Sequence, residues 1–202
     1  MTDIIDHHAS LKLNLRRELR RKRNALTPLQ KIQATQQILM QIKQARLWQK
    51  GRRWAFYLPF GSELDCRPLI AAALANGKSV FVPLLRKGTT KRMVFVNLLD
   101  VTSWRKSALG MLEPVARSWV SSRKLDVVCM PLLGFDREGH RLGQGGGYYD
   151  ATFAFRRVSH CRPFLLGLAY ACQQVDRIPT EPWDIRLDGV LTEEQYLLCR
   201  GE

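Results

Sequence analysis

Leucines recur near the start of the chain at positions 11, 15 and 19, then at 26. Steps of four, four and seven keep them on one side of a helix. Lys12, Arg16, Arg17, Arg20, Arg21, Lys22 and Arg23 cover its other faces. Thr27-Pro28 restarts the chain as N-cap and first helical residue. The second helix takes Leu29, Ile32, Ile38, Leu39 and Ile42 as its apolar side and ends before Gly51.

From Arg53 the period shortens. WAFYLP (54–59) predicts a short buried strand running into the loop FGSELD, and CRPLIAAALANG (66–77) a helix stopped by Asn76-Gly77. SVFVPLL (79–85) and MVFVNL (93–98) predict a hairpin about RKGTTKR. LDVVCMPLLGF (125–135) has the unbroken apolarity of a strand covered on both faces. YYDATFAFRRV predicts a helix, FLLGLAY (164–170) another buried strand, and DIRLDGVLTEEQ (184–195) a short last one. Strands alternating with helices imply an α/β fold: one three-layer domain over 1–202, a mostly parallel or mixed sheet flanked by helices, opened by two helices.

Composition adds one departure from the ordinary. Hydrophobic residues make up 46% and charged residues 25% of the 202, a globular balance. The net charge of +14 and a pI near 10.1 call for an anionic partner: nucleic acid, nucleotide, polycarboxylate or membrane surface. Cys66, Cys129, Cys161, Cys172 and Cys199 form no C-x-x-C pair, as expected of thiols in a reducing cytoplasm. The first ten residues lack the features of a secretory signal, and the apolar runs are too short to span a bilayer.

The candidate chemistry centres on GHRLGQGGGYYD, where five glycines fall between positions 139 and 147. The stretch follows a buried strand and precedes a helix, the usual ligand position in an open α/β sheet. Glycines admit phosphate oxygens to backbone donors, and Arg141 offers a fixed charge; the alternative is a ligand-free connector. The loop is not a Walker A loop, because no Lys-Ser or Lys-Thr follows the glycines. It is not a dinucleotide fingerprint, because Tyr148 stands where the last glycine belongs.

RLGQGGGYYD (141–150), preceded by PLLGFDREGH, resembles the signature of the 5-formyltetrahydrofolate cyclo-ligase (5,10-methenyltetrahydrofolate synthetase) family. Lys12-x-x-x-Arg16, YLPFGSELD (57–65), GMLEP (110–114) and EPWDIRLDGVLTE (181–193) extend the resemblance, in order, from residue 12 to 193. It implies an ATP-dependent ligase using Mg2+, which cyclises 5-formyltetrahydrofolate to 5,10-methenyltetrahydrofolate, giving ADP and phosphate. The route implied is a phosphorylated formyl (iminium phosphate) intermediate closed by N10. A monomer acting on folates that carry polyglutamate tails is the expected form. The competing reading is a basic RNA- or DNA-binding protein using the arginine-rich first helix.

The resemblance also assigns residues. Lys12 and Arg16 are one helical turn apart and face one set of phosphates. Arg141, Leu142, Gly143, Gln144, Gly145, Gly146, Gly147, Tyr148 and Tyr149 form the nucleotide loop, with Arg141 and Tyr148 as its catalytic candidates. Gln144 to Tyr148 also border the folate, whose wall includes Leu58 and Glu63. Asp150 and Asp184 match the family's magnesium-associated acids. Three positions depart from the pattern: Gly146 where lysine can stand, Ala151 where arginine is frequent, and Trp183 where histidine is frequent. Arg141 and the basic helix are then the expected counter-charge of the transferred phosphate.

Overall fold

The computed structural model describes residues 2–85, 91–107, 110–158 and 162–199. The elements in chain order are α1 (Thr2–Ala25), α2 (Pro28–Gln44), β1 (Arg53–Ala55), α3 (Arg67–Ala75), β2 (Ser79–Leu85) and β3 (Met93–Asn97). There follow β4 (Ser103–Lys106), β5 (Leu112–Val115), β6 (Val127–Pro131), β7 (Gly134–Phe135) and β8 (Arg141–Leu142). The last are α4 (Tyr148–Thr152), β9 (Phe164–Leu168), β10 (Gly189–Leu191) and β11 (Tyr196–Leu198).

Seven strands form the central sheet in the order β11-β10-β9-β6-β1-β2-β3. The five inner strands, β10 to β2, are parallel to their neighbours, and each edge strand, β3 and β11, is antiparallel. This is the mixed, mostly parallel α/β sheet that the alternation of strands and helices predicts. The chain starts at β1, builds outward through β2 and β3, then returns to β6 on the other side of β1. Loops leaving β1 and β6 therefore diverge at their carboxyl ends, which opens a crevice there.

Side chains alternate along β6. Val127 and Cys129 join Ile38, Ile42, Leu69 and Trp54 in a core beneath α2 and α3. Val128 and Met130 face the other way, onto Phe153, Ile185 and Leu187. Burial on both faces explains the continuous apolar run in this strand.

Several local expectations need correction. Leu29 and Ile32 of α2 are exposed, and Ala34 and Thr35 are buried beside Ile38 and Ile42. The inward face is therefore one of small residues near the start of the helix, where α2 approaches its neighbours. The apolar run 125–135 divides into β6 and β7, because the chain turns out of the sheet after Pro131. The predicted helix after the glycines is one turn, α4, followed by a 3-10 turn over Ala154–Arg157. The tip of the β2–β3 hairpin at 86–90 and Cys161 lie outside the described residues, while Cys66, Cys129, Cys172 and Cys199 are free thiols. No helix among the described residues is long and apolar enough to cross a membrane.

Helix α1 sits over the crevice. Leu19, fully buried, packs with Leu142 and Ile178, and Leu15 lies beside them. Leu19 rests directly on Gly134, where a Cβ would overlap its Cδ1. Any side chain at 134 would hold the helix off the sheet.

Candidate active site

Helix α1 has two adjacent stripes on its inner side. At about 100° per residue, Leu15, Leu19 and Leu26 lie next to Lys12, Arg16, Arg20 and Arg23. The leucines fix the helix, and the basic stripe is thereby aimed at the loops leaving β6 and the parallel strands. Lys12 Nζ donates to Asp184 Oδ2 at 2.8 Å and lies 3.8 Å from Glu181 Oε1. Arg16 Nε donates to Gly143 O at 3.0 Å, and an Arg20 terminal nitrogen donates to Gln144 Oε1 at 3.0 Å. Burial lowers the Arg16 pKa, Arg20 lowers it further, and the Asp184 carboxylate opposes both.

Arg23 is the deepest of the four at 3% exposed. Its Nε donates to Ser62 Oγ at 3.0 Å and its guanidinium reaches Leu132 O at 3.4 Å. It thus ties α1 to both the loop after β1 and the loop after β6. Neither Arg20 nor Arg23 is singled out by the motif residues, although their spacing continues the Lys12-Arg16 stripe by one and two turns.

The loop after β1 is a closed turn. Tyr57 donates its hydroxyl to Leu64 O at 2.8 Å, and the Cys66 thiol bonds to Tyr57 O at 3.0 Å. Phe60 N donates to Glu63 Oε2 at 3.1 Å, while Glu63 N donates back to Phe60 O at 3.3 Å. The Gln144 side chain, which Arg20 holds, lies near enough to Glu63 to help lower its pKa, so the glycine loop and the β1 loop face one another across these two side chains. Burial raises the Glu63 pKa; the Phe60 N–H, Arg23 and Gln144 pull the other way without cancelling it. Leu58 is half-buried in the same loop.

The glycine loop is presented by the β7–β8 hairpin. Asp136, fully buried, accepts from the backbone N–H groups of Glu138, His140 and Ile178 and pairs with His140 Nδ1 at 2.9 Å. Asp136, Glu138 and His140 are the one carboxylate–histidine trio within metal-ligand reach among the described residues. Asp136 is occupied by those four donors, however, and holds the turn that aims the hairpin.

Beyond the hairpin, Gly143 to Gly147 run along open space. A Cβ at Gly143 would meet nothing within 4 Å, and one at Gly145 would lie 3.8 Å from the Arg16 guanidinium. Gly145 and Gly147 hold φ of 100° and 71°, where only glycine is unstrained. At Gly146 the neighbour is the Tyr148 ring, 3.0 Å from where a Cβ would stand. The absence of a side chain at 146 thus makes room for Tyr148. The Tyr149 ring packs inward, stacked 6.3 Å from Phe153, and burial pushes its hydroxyl pKa well up. Both tyrosines are half-buried and pack against the core behind the loop, Tyr148 beside Gly146 and Tyr149 against Phe153.

Arg141 is held rather than free. Its guanidinium donates to Ile185 O at 2.7 Å and Asp150 Oδ1 at 2.8 Å. Asp150 Oδ1 also accepts from Ile185 N at 3.1 Å, which brings Asp150 against the residue that follows Asp184. Asp184 Oδ2 accepts from both Lys12 and Glu181 N. Each aspartate therefore engages one oxygen within the protein. Among the described residues, the other oxygen of each, Asp150 Oδ2 and Asp184 Oδ1, has no hydrogen-bond partner. That donor set, two hard oxygens beside a loop open to phosphates, fits magnesium, which takes one or two carboxylates and keeps its remaining positions for phosphate and water.

A further cavity of about 250 Å³ opens beside α4, lined among others by Arg92, Trp119, Arg123, Ala151 and Phe155. The short side chain of Ala151 forms part of its wall.

The likeness to other proteins covers this whole arrangement. Residues 8–193 match the 5-formyltetrahydrofolate cyclo-ligase family. The 5-formyltetrahydrofolate cyclo-ligase of Haemophilus influenzae is 34% identical over 179 residues, 88% of this chain and 95% of that one. The enzyme of that name from Mus musculus is 29% identical over 197 residues, 92% of this chain and 95% of its own. The solution structure of Aquifex aeolicus 5,10-methenyltetrahydrofolate synthetase superposes with a TM-score of 0.79 at 28% identity, covering 95% of this chain and 94% of that chain. The match begins before Lys12 and ends after Asp184, so it spans the basic stripe, the β1 loop, the glycine loop and both aspartates. This chain belongs to the 5-formyltetrahydrofolate cyclo-ligase family.

Proposed function

We propose that the protein is an ATP- and magnesium-dependent 5-formyltetrahydrofolate cyclo-ligase, acting as a single cytoplasmic domain and as a monomer. The observation that carries the reading is that the Arg20–Gln144 bond and the buried Arg23 bring an open glycine loop suited to phosphates against the loop that bears the half-buried Glu63 carboxylate. Two different ligands, a polyphosphate and a flat polar ring, would meet between those two loops. A carboxylate accepts paired hydrogen bonds from an amino-pyrimidine edge, which suits Glu63 to a pterin, with Leu58 as an apolar neighbour.

In this reading the nucleotide phosphates lie along Gly143 to Gly147, with Lys12 and Arg16 on one side. Lys12 keeps Asp184 in place, and Arg141 keeps Asp150 in place. Asp150 and Asp184 would hold magnesium, which would supply charge neutralisation to the phosphates. The formyl oxygen of the substrate attacks the γ-phosphorus, and ADP departs with the electrons of the broken P–O bond. N10 then attacks the formyl carbon, phosphate leaves with the original formyl oxygen, and the N10 proton passes to solvent. Positioning and electrostatics supply most of the rate in such a transfer. Tyr148, over Gly146, borders the ring system and limits water at the reacting carbon.

The nucleic-acid reading has less support. Four of the seven basic residues between Lys12 and Arg23 turn inward onto protein partners, leaving Arg17, Arg21 and Lys22 on the exposed side. Lys22 in turn pairs with Glu18 at 2.7 Å. The deciding experiment mixes the protein with 5-formyltetrahydrofolate and Mg-ATP and follows methenyl absorbance. An ATP-dependent rise is expected; no product in repeated preparations of folded protein would overturn the activity.

A further inference from the structure

The cations around the glycine loop differ in how far they are committed. Lys12 is held by Asp184 and Glu181, Arg141 by Asp150 and Ile185 O, and Arg20 by Gln144. Arg16 holds Gly143 O through Nε. Lys91 is different. It is exposed, and its ammonium has no hydrogen bond or ion pair among the described residues. Its stem nevertheless lies against the loop, since a Cβ at Gly147 would stand 4.0 Å from Lys91 Cδ.

This approach is built into the fold. Thr152, 7% exposed, donates its hydroxyl to Tyr148 O at 2.6 Å and accepts from Met93 N at 2.9 Å. The start of β3 is thereby joined to α4, the turn that Gly147 opens. Lys91 is two residues before Met93, and Gly147 one before Tyr148. A single buried hydroxyl sets the spacing between the lysine and the glycines. Two residues earlier in the loop, the Arg16 guanidinium lies 3.8 Å from where a Cβ at Gly145 would stand. The loop thus meets a guanidinium from α1 at Gly145 and a lysine from the sheet edge at Gly147.

We infer that Lys91 is a phosphate-binding residue of this site, reaching the nucleotide's phosphate chain at Gly147 while Arg16 stands at Gly145. The inference rests on the nucleotide reading of the glycine loop. An ammonium on a flexible stem, with three free donors, is suited to follow a phosphate that changes geometry. Removing a charge-assisted hydrogen bond of this kind weakens binding by about 10- to 100-fold.

The test measures binding of a non-hydrolysable ATP analogue with magnesium to the full chain by calorimetry, which needs no turnover. Lys91→Gln is expected to weaken the analogue by about 10-fold or more, with Lys91→Arg recovering most of the loss and adenosine binding unchanged. Lys43→Gln, on the exposed side of α2, reports the effect of net charge alone. Unaltered analogue binding in Lys91→Gln, or an equal loss in Lys43→Gln, would overturn the inference. A wild-type chain that binds the analogue but forms no methenyl product would overturn the proposed activity and leave Lys91 standing. A wild-type chain that binds no nucleotide would overturn both.

Discussion

Lys12 Nζ stands 2.8 Å from Asp184 Oδ2, joining the first helix to a loop 172 residues further along the chain. Both side chains are largely shielded, at 12% and 23% exposed. Lys12→Met should therefore lower stability by about 1–3 kcal/mol, the range for a hydrogen bond to a charged partner left without its mate. Denaturant unfolding reads this directly. An unchanged midpoint would mean that the pair is screened like an ordinary surface bridge.

Asp150 and Asp184 each retain one carboxylate oxygen that no described residue uses. Asp150→Asn and Asp184→Asn should raise the magnesium concentration needed for half-maximal rate by about tenfold or more each, a loss of at least about 1.4 kcal/mol. Binding of 5-formyltetrahydrofolate without nucleotide should change little. Magnesium titrations identical to wild type in both variants would remove the metal assignment.

Glu63 has its pKa raised chiefly by burial. Below that raised pKa the carboxyl is protonated and cannot accept a pair of hydrogen bonds, so the folate kcat/KM should fall as pH drops through it. The acid limb should lie above the ordinary glutamate range and vanish in Glu63→Gln. The stability sign is opposite. A carboxyl whose folded pKa is raised contributes most at low pH and loses that contribution as pH rises through the folded pKa. Glu63→Gln should therefore be at least as heat-stable as wild type at neutral pH. Arg23 lowers the Glu63 pKa, so Arg23→Met should move the acid limb to higher pH.

Gly143 and Gly147 separate ligand space from backbone strain. Gly147 has φ 71°, so Gly147→Ala should cost about 1 kcal/mol of stability or more. Gly143 faces open space, so Gly143→Ala should leave the melting temperature unchanged. If phosphates fill that space, the same variant raises the ATP KM by about tenfold, or roughly 1.4 kcal/mol. A normal ATP KM in Gly143→Ala would move the phosphates elsewhere.

Periodicity made the parallel strands legible, because Val127 to Met130 have no polar face and Ser79–Leu85 has clear ends. It could not show the β4–β5 hairpin. All four residues of β4, Trp104 among them, are exposed, so that strand has no buried alternation to detect. Leu29 and Ile32 misled for the converse reason: apolar spacing alone does not say which side of α2 meets the sheet. Within the candidate site, the glycine loop stood out by its composition and its place after a buried strand, and Lys12, Arg16, Glu63, Asp150 and Asp184 through the family resemblance. Arg20 and Arg23 were visible only as members of a basic run, since a sequence of charges does not reveal which ones a helix turns inward. Arg141 was expected as a fixed charge facing phosphate, and its attachment to Asp150 and Ile185 O depends on contacts far apart in the chain.

The docking of α1 also sets an order of events during synthesis. Its basic stripe leaves the ribosome early, but its acceptors include Leu132 O, Gly143 O, Gln144 and Asp184. Such long-range contacts form late, after their loop-closure entropy has been met. Until then a helix with seven basic residues in twelve positions has Glu18 as its one acidic neighbour in that stretch. In that interval the nascent chain carries a concentrated positive charge beside ribosomal RNA, which the folded protein turns largely onto its own loops.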